Sequence, residues 1–270
     1  MLVKSISFGY YKNRGGDAMV HEEYVRMVPH ADTAVLFIHG IVGTPNHFRD
    51  LIPLVELVPE SWSVCNLLLD GHGKSVEDFA NTSIENWHSQ VWGTFEKLSR
   101  THERVILVAH SMGTLFSIQL AAQYPEKIPC LFMLAVPLCP KLGFSIICNS
   151  LKLVLGKLRD DVPQEYAIKR ACGVTPTKKV WKYLAWLPRF WELFHEIIKT
   201  EKILSNLTVP AAVFQSYCDE LVARRSETIL TQCQNMSVHP LQNSSHFYYH
   251  PNDLQRIQAC FTQMIKEAHG

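Results

Sequence analysis

Apolar and polar positions along this chain alternate between two patterns. Short, unbroken apolar runs occur at 33–38 (TAVLFI), 63–69 (SVCNLLL), 104–109 (RVILVA) and 130–136 (CLFMLAV). Each is short and rich in branched residues, which predicts strands buried on both faces. The intervening segments carry helix signals. Thr44-Pro45 reads as an N-cap followed by proline at the first helical position, opening a helix to about Leu57. Thr82-Ser83-Ile84-Glu85 has capping-box spacing for a helix to about Arg100, and the helix at 111–124 is stopped by Pro125. Strands alternating with helices predict an α/β fold with a mostly parallel central sheet flanked by helices.

The alternation stops after residue 137. From 138 to 206 no convincing strand is seen. Helical stretches at 144–158 and 178–198 carry bulky apolar faces, the second with Trp181, Trp186, Phe190, Trp191 and Phe194. Strand signals return at 209–215 and 236–241, and a closing helix at 253–268 places Leu254, Ile257, Phe261 and Ile265 on one face. No Gly/Ser/Pro-rich linker flanks 138–206, so this stretch reads as a helical insertion into a core formed by 1–137 and 207–270. The aromatic stripe at 181–194 is expected to pack within that insertion rather than hold a cofactor.

Composition removes several classes of function. The 270 residues carry 26 Lys+Arg against 25 Asp+Glu, and 47% are hydrophobic. That balance excludes a charge-dominated disordered chain and lacks the basic footprint of a nucleic-acid binder. Eight cysteines are scattered without a CxxC pair, which fits a reducing, cytoplasmic compartment. The opening segment MLVKSISFGYYKNRGG lacks the apolar run of a signal peptide. The longest apolar stretch, 128–139, falls short of the ~18 residues of a membrane span and contains Pro129 and Pro137.

Candidate chemistry begins at Val108-Ala109-His110-Ser111-Met112-Gly113, a small-x-Ser-x-Gly sequence where a buried strand hands over to a helix. A tight turn there would present the serine hydroxyl above the sheet. Serine is a weak nucleophile without a base, and the base needs an orienting carboxylate. Asp219 follows the strand at 209–215, and His246 follows the strand at 236–241. Both therefore stand where a strand end would deliver them. Glu220 is the rival acid, and His239 and His250 are the rival bases. An oxyanion site requires two main-chain donors. Met112 N–H is one candidate, and Ile41 N–H in the loop His39-Gly40-Ile41-Val42-Gly43 is the other.

These residues resemble the α/β-hydrolase superfamily, and within it bacterial carboxylesterases and monoacylglycerol lipases. The segments that carry the resemblance are FIHGIVGTP (37–45), DGHGKS (70–75), VAHSMGT (108–114), SYCDELV (216–222) and NSSHF (243–247). The resemblance implies Ser111 as nucleophile, Asp219 as acid, His246 as base, oxyanion amides at Ile41 and Met112, and 138–206 as a helical cap. Ala109 and Thr114 depart from the family pattern, each standing where glycine is frequent. Ala109 is expected to tighten the turn. The implied function is hydrolysis of short- to medium-chain acyl esters or monoacylglycerols through an acyl-enzyme, a small-molecule substrate with no cofactor and no metal. A thioesterase, an acyltransferase or a silent binder of hydrophobic ligands would share the scaffold, whereas Ser111 argues against dehalogenase and epoxide-hydrolase variants. Two further strings are read as decoys. Gly73-Lys74-Ser75 lacks the upstream glycine of a phosphate loop, and His195-Glu196 has Lys199 in place of a second zinc ligand.

Overall fold

A computed structural model describes residues 20–141 and 143–269. The opening segment read above as lacking a signal peptide lies outside the described residues. The strands are β1 (Tyr24–Arg26), β2 (Thr33–Ile38), β3 (Ser63–Asn66), β4 (Lys74–Ser75), β5 (Arg104–His110), β6 (Leu131–Leu134), β7 (Val174–Thr175), β8 (Ala211–Ser216) and β9 (Met236–Leu241). The α-helices are α1 (Val76–Ala80), α2 (Ile84–Thr101), α3 (Met112–Gln123), α4 (Phe144–Val154), α5 (Pro163–Ala171), α6 (Leu187–Leu204), α7 (Arg225–Leu230) and α8 (Pro251–His269). Seven strands form one sheet in the order β1-β3-β2-β5-β6-β8-β9, parallel throughout except for β1 at its edge.

The unbroken apolar runs have a direct explanation. Successive strand side chains point to opposite faces, and both faces are covered. Ala34, Leu36 and Ile38 of β2 join Val105, Leu107 and Ala109 of β5 in a core beneath α2 and α3. Val35, Phe37, Ile106 and Val108 enter a second core with Leu254, Ile257, Phe261 and Ile265 of α8. All six residues of β2 are buried. A polar substitution at Val35, Leu36, Phe37 or Ile38 would lose about 1.5–3 kcal/mol of apolar burial on either face.

Several local expectations change. The helix expected at 44–57 is two short 3-10 turns, Pro45–Phe48 and Val55–Leu57. Pro53 between them supplies no N–H and keeps its predecessor out of the helical region. Thr44 does cap, its hydroxyl accepting from the Asn46 amide at 3.4 Å. The cap of α2 is Ser83 rather than Thr82: the Ser83 hydroxyl accepts from Asn86 N at 3.1 Å. The reciprocal capping box lies instead at Ser75 and Asp78, ahead of α1. The strand expected at 63–69 ends at Asn66, and the short edge strand β1 was not anticipated.

The stretch between β6 and β8 is largely helical, as expected, but differs in detail. It includes α5, which was not foreseen, and the two-residue β7, which pairs in parallel with β4. The stretch expected as one helix at 178–198 divides into a 3-10 turn, Val180–Trp186, and α6. Its aromatic stripe does not pack as expected. Trp186 is buried, with its indole N–H on Val76 O at 2.9 Å and its ring 4.5 Å from Phe79, but Trp181 and Trp191 are 63% and 68% exposed. The inward face of α6 is mixed, with Ile197 and Leu204 buried beside a row of polar ties. Arg189 donates to Ala80 O, Glu192 accepts from Ile84 N, and Glu196 accepts from Gln119. Spaced three to four residues apart, these groups occupy one helical face and turn the intervening aromatics outward.

All eight cysteines are free. No described helix is long and apolar enough to cross a membrane. Gly93 lies inside α2, and a Cβ added there would meet nothing within 4 Å. Gly93→Ala therefore raises stability by about 0.5–1 kcal/mol through helix propensity, read as a denaturation midpoint roughly 1–4 °C higher. A lower midpoint would contradict the packing described for α2.

Candidate active site

The parallel sheet sends the loops after β2, β5, β6, β8 and β9 to one edge. The register aligns their ends, with Ile38 opposite Ala109, His110 opposite Leu134 and Ser216 opposite Leu241. Candidate residues far apart in sequence are therefore carried to the same edge. Ser111 is the single residue between β5 and α3, at φ 51° and ψ −123°. A non-glycine residue in that region costs about 1–3 kcal/mol unless its surroundings impose it. They do so here. Ser111 N–H donates to Leu134 O at 2.9 Å, and Ser111 O accepts from Thr114 N at 2.9 Å and Thr114 Oγ1 at 2.7 Å. Behind the turn, a Cβ on Gly113 would stand 2.2 Å from Ile38 O. The departures at Ala109 and Thr114 leave the turn intact. Ala109 stays in register within β5, and the Thr114 hydroxyl becomes one of the turn's own ties.

Asp219 and His246 are brought together. His246 Nδ1 donates to Asp219 Oδ2 at 2.8 Å, and both side chains are buried. The other carboxylate oxygen, Oδ1, accepts from Leu221 N at 2.7 Å and Val222 N at 2.8 Å, which fixes the acid by the turn it caps. The peptide groups of His246 are also held. Its N–H donates to Glu220 Oε2 at 3.1 Å, and its C=O accepts from His110 Nε2 at 3.1 Å. Ser111 is 8% exposed at the same edge, and the ring of the preceding residue, His110, lies 4.8 Å from that of His246. Among the described residues the Ser111 hydroxyl makes no hydrogen bond to His246.

The loop after β2 closes on Ser111 from the other side. A Cβ on Gly40 would fall 2.8 Å from Ser111 Cβ, so only glycine allows this approach. Gly40 O accepts from Gly43 N at 3.0 Å and from His39 Nδ1 at 2.8 Å. Leu69 N donates to His39 Nε2 at 3.1 Å, which leaves the imidazole proton on Nδ1. The amides of Ile41 and Met112 have no acceptor among the described residues. For Met112 this follows from its place at the first turn of α3.

Five buried imidazoles surround this edge: His39, His47, His72, His110 and His246. Burial holds His39 down to about 4 and His47 to about 3, and pushes His72 and His110 well below the ordinary histidine value. His246 moves the other way. Burial opposes its charge, but the adjacent Asp219 carboxylate, its hydrogen bond and the Glu220 charge outweigh it and raise the pKa above 6.5.

Sequence reasoning singled out Ser111, Asp219, His246, Ile41 and Met112 but assigned no role to His110, Thr114 or His39. It named Glu220 only as a rival acid. The rival bases stand elsewhere. His239 stacks on Phe214 and lines a groove at the opposite edge of the sheet, beside Leu131 and Ala211, and His250 N–H bonds Ser244 at the start of α8. The two decoy strings are structural. Ser75 caps α1, and Glu196 ties α6 to α3. Among the described residues no group of three or more His, Cys, Asp or Glu could hold a metal ion. An apolar cavity of about 500 Å³ opens beside the site, lined among others by Ile41, Ile168, Val174, Trp186, Leu221 and Phe247.

Two pH effects follow. His246 should titrate above 6.5 by NMR, and Asp219→Asn should lower its midpoint; an unchanged midpoint would refute the pairing. The four depressed histidines act on stability. Below pH 6.5 the unfolded chain takes up protons that the folded chain refuses, so their contribution, complete above 6.5, is lost on acidification towards about 4 for His39 and about 3 for His47. Each costs up to about 1.4 kcal/mol per pH unit in that window. His246 stabilises in the opposite sense, most fully below 6.5, so it does not offset the loss. Urea midpoints should fall steeply between pH 6.5 and 5, and a flat profile would show that these imidazoles are not held neutral.

Comparison with known proteins agrees with the fold described above. A protein-family model described as the alpha/beta hydrolase fold matches residues 33–162. A thermostable monoacylglycerol lipase from Bacillus sp. (strain H-257) is 24% identical over 200 residues, spanning 73% of this chain and 75% of that protein. Among solved structures, one from a study of the metagenome-derived lipolytic enzymes LipS and LipT superposes with a TM-score of 0.69 at 19% identity, covering 92% of this chain and 98% of the other. The monoacylglycerol lipase of Paleococcus ferrophilus does so at 0.63 and 16%, covering 92% and 99%.

Proposed function

We propose, from the premise that this chain has the α/β-hydrolase fold and resembles carboxylesterases and monoacylglycerol lipases, that it is a serine carboxylic-ester hydrolase. The observation that carries the reading is the strained Ser111 corner standing at the same sheet edge as the hydrogen-bonded Asp219–His246 pair. With Nδ1 committed to Asp219, His246 keeps Nε2 as its basic nitrogen. In the proposed reaction that nitrogen takes the Ser111 proton as Oγ attacks the ester carbonyl. Asp219 stabilises the imidazolium, and the Ile41 and Met112 amides receive the oxyanion. The imidazolium then protonates the departing alcohol. Water, deprotonated by the same nitrogen, cleaves the acyl-enzyme and restores the serine. Serine–histidine hydrogen bonds of this kind tighten on substrate binding, which accommodates their separation here.

The cavity supports a substrate class. Its lining joins the oxyanion loop (Ile41) and the residues after the acid and base (Leu221, Phe247) to the 138–206 stretch, which we assign as the cap. A space of about 500 Å³ with apolar walls suits a short- to medium-chain acyl group or a monoacylglycerol. The eight free thiols support a reducing, cytoplasmic setting.

A fluorophosphonate probe tests the nucleophile. It should label the wild type and fail on Ser111→Ala; an unlabelled wild type would refute the enzyme reading, and persistent labelling of the variant would move the nucleophile. His246→Ala should lose ester turnover by several orders of magnitude while remaining folded. Ile41→Ala, which keeps the amide, should stay within a few-fold. Turnover should rise with pH through the raised His246 pKa, because the base must be neutral.

A further inference from the structure

We infer that Gly173, in the stretch between β6 and β8, is a positioning residue for the Ile41 amide, acting through a relay of peptide planes. The inference rests on the oxyanion role proposed above for that amide. Val42 is held at φ 55°, a left-handed conformation unusual for a β-branched residue, so something must fix it. Gly173 N–H donates to Val42 O at 2.8 Å. No described peptide bond is cis, and a trans peptide points its C=O and N–H in opposite directions. Fixing Val42 O therefore aims Gly43 N–H the other way, onto Gly40 O at 3.0 Å. Gly40 O is held from the same side by His39 Nδ1 at 2.8 Å. The next peptide plane is thereby fixed, and Ile41 N–H points away from those donors, unpaired. Two planes thus carry orientation from Gly173 to the candidate oxyanion donor.

Gly173 is held to this place on its other side. Its C=O accepts from Gly73 N at 2.5 Å, and the β4–β7 ladder continues the contact through Lys74 opposite Val174 and Ser75 opposite Thr175. Its Cα lies so close to the loop that a Cβ would stand 1.8 Å from Gly43 O and 2.7 Å from the Gly43 carbonyl carbon. Both neighbours are backbone and neither can swing aside as a flexible side chain would. Any residue other than glycine must push the loop or withdraw from it, and either movement breaks the relay. The 138–206 stretch is then a structural part of the oxyanion loop as well as a wall of the apolar cavity.

The experiment compares wild type, Gly173→Ala and Gly93→Ala, the last as a glycine replacement remote from the site. Gly173→Ala should lower kcat about 100-fold with KM changed by less than about threefold, because a misdirected oxyanion amide acts on the transition state alone. Affinity for an alkylboronic acid, whose tetrahedral serine adduct uses the same amides, should fall in parallel with kcat. Affinity for the fatty alcohol of equal chain length should hold. Gly93→Ala should match wild type in all four quantities. Should Gly173→Ala fail to fold, hydrogen exchange on the wild type decides. The boronate, relative to the alcohol, should slow segments 40–44 and 172–175 together. Undiminished kcat in Gly173→Ala, an equal loss of alcohol and boronate affinity, or slowing confined to 40–44 would each overturn the relay. A wild type that neither hydrolyses esters nor reacts with the fluorophosphonate would instead defeat the esterase reading.

Discussion

A parallel strand that must turn into a helix within one residue leaves that residue no relaxed conformation, and Ser111 accepts this constraint at φ 51° and ψ −123°. The strain of about 1–3 kcal/mol is offset locally by one amide bond to β6 and two bonds from Thr114. The same constraint sets the rest of the edge. Gly113 can have no side chain because α3 must begin against Ile38, and Gly40 can have none because the β2 loop must approach Ser111. The acid and base come from β8 and β9, whose ends are brought alongside by the register of the sheet. Hydrophobic burial on both faces of β2 and β5 provides the stability against which one strained residue is tolerable.

The electrostatics of the edge divide along similar lines. Four imidazoles are held neutral by burial, and three of them, His39, His72 and His110, serve as shaped hydrogen-bonding units. His39 bridges Leu69 N and Gly40 O, and His110 reaches the carbonyl of His246. His246 alone has a carboxylate on its ring, and its pKa rises instead of falling. One residue type thus supplies rigid neutral supports and one basic group within a few ångströms, and the partner of each ring decides which. The Glu220 carboxylate adds to that difference while holding the His246 main chain.

Much of this was legible in the sequence because periodicity and strand ends encode it. β2 and β9 fall at their expected limits, and the serine, acid and histidine were placed from their positions after strands. Features that depend on competition between local signals were harder to read. Pro53 defeats the helix promised by Thr44-Pro45, and Ser83 takes the cap from Thr82 because its extended backbone aims its hydroxyl at Asn86 N. Tertiary partners were harder still. Nothing in the string AHSMG announces that its histidine will meet the carbonyl of residue 246, and nothing in CDEL says that Glu220 will hold a main-chain amide rather than the ring. The outward turn of Trp191 is not visible in the sequence because apolar residues normally face the core, whereas the inward positions of α6 go to Glu192, Glu196, Ile197 and Leu204.

That anchoring says how the helical stretch relates to the site. Side chains of α6 and of the 3-10 turn before it bind main-chain atoms at the ends of α1 and α2, through Trp186, Arg189 and Glu192. Such bonds are directional and supplement the burial of Ile197 and Leu204 in fixing α6 against the core. The α4 end is attached differently, since no residue of α4 is buried and several of its apolar side chains line the cavity. One end of the stretch is therefore held by oriented polar contacts and the other by a cavity wall, with Gly173 between them in main-chain contact with the loop after β2. The main-chain bond from Gly173 to Val42 thus joins the helical stretch directly to the loop that carries Ile41.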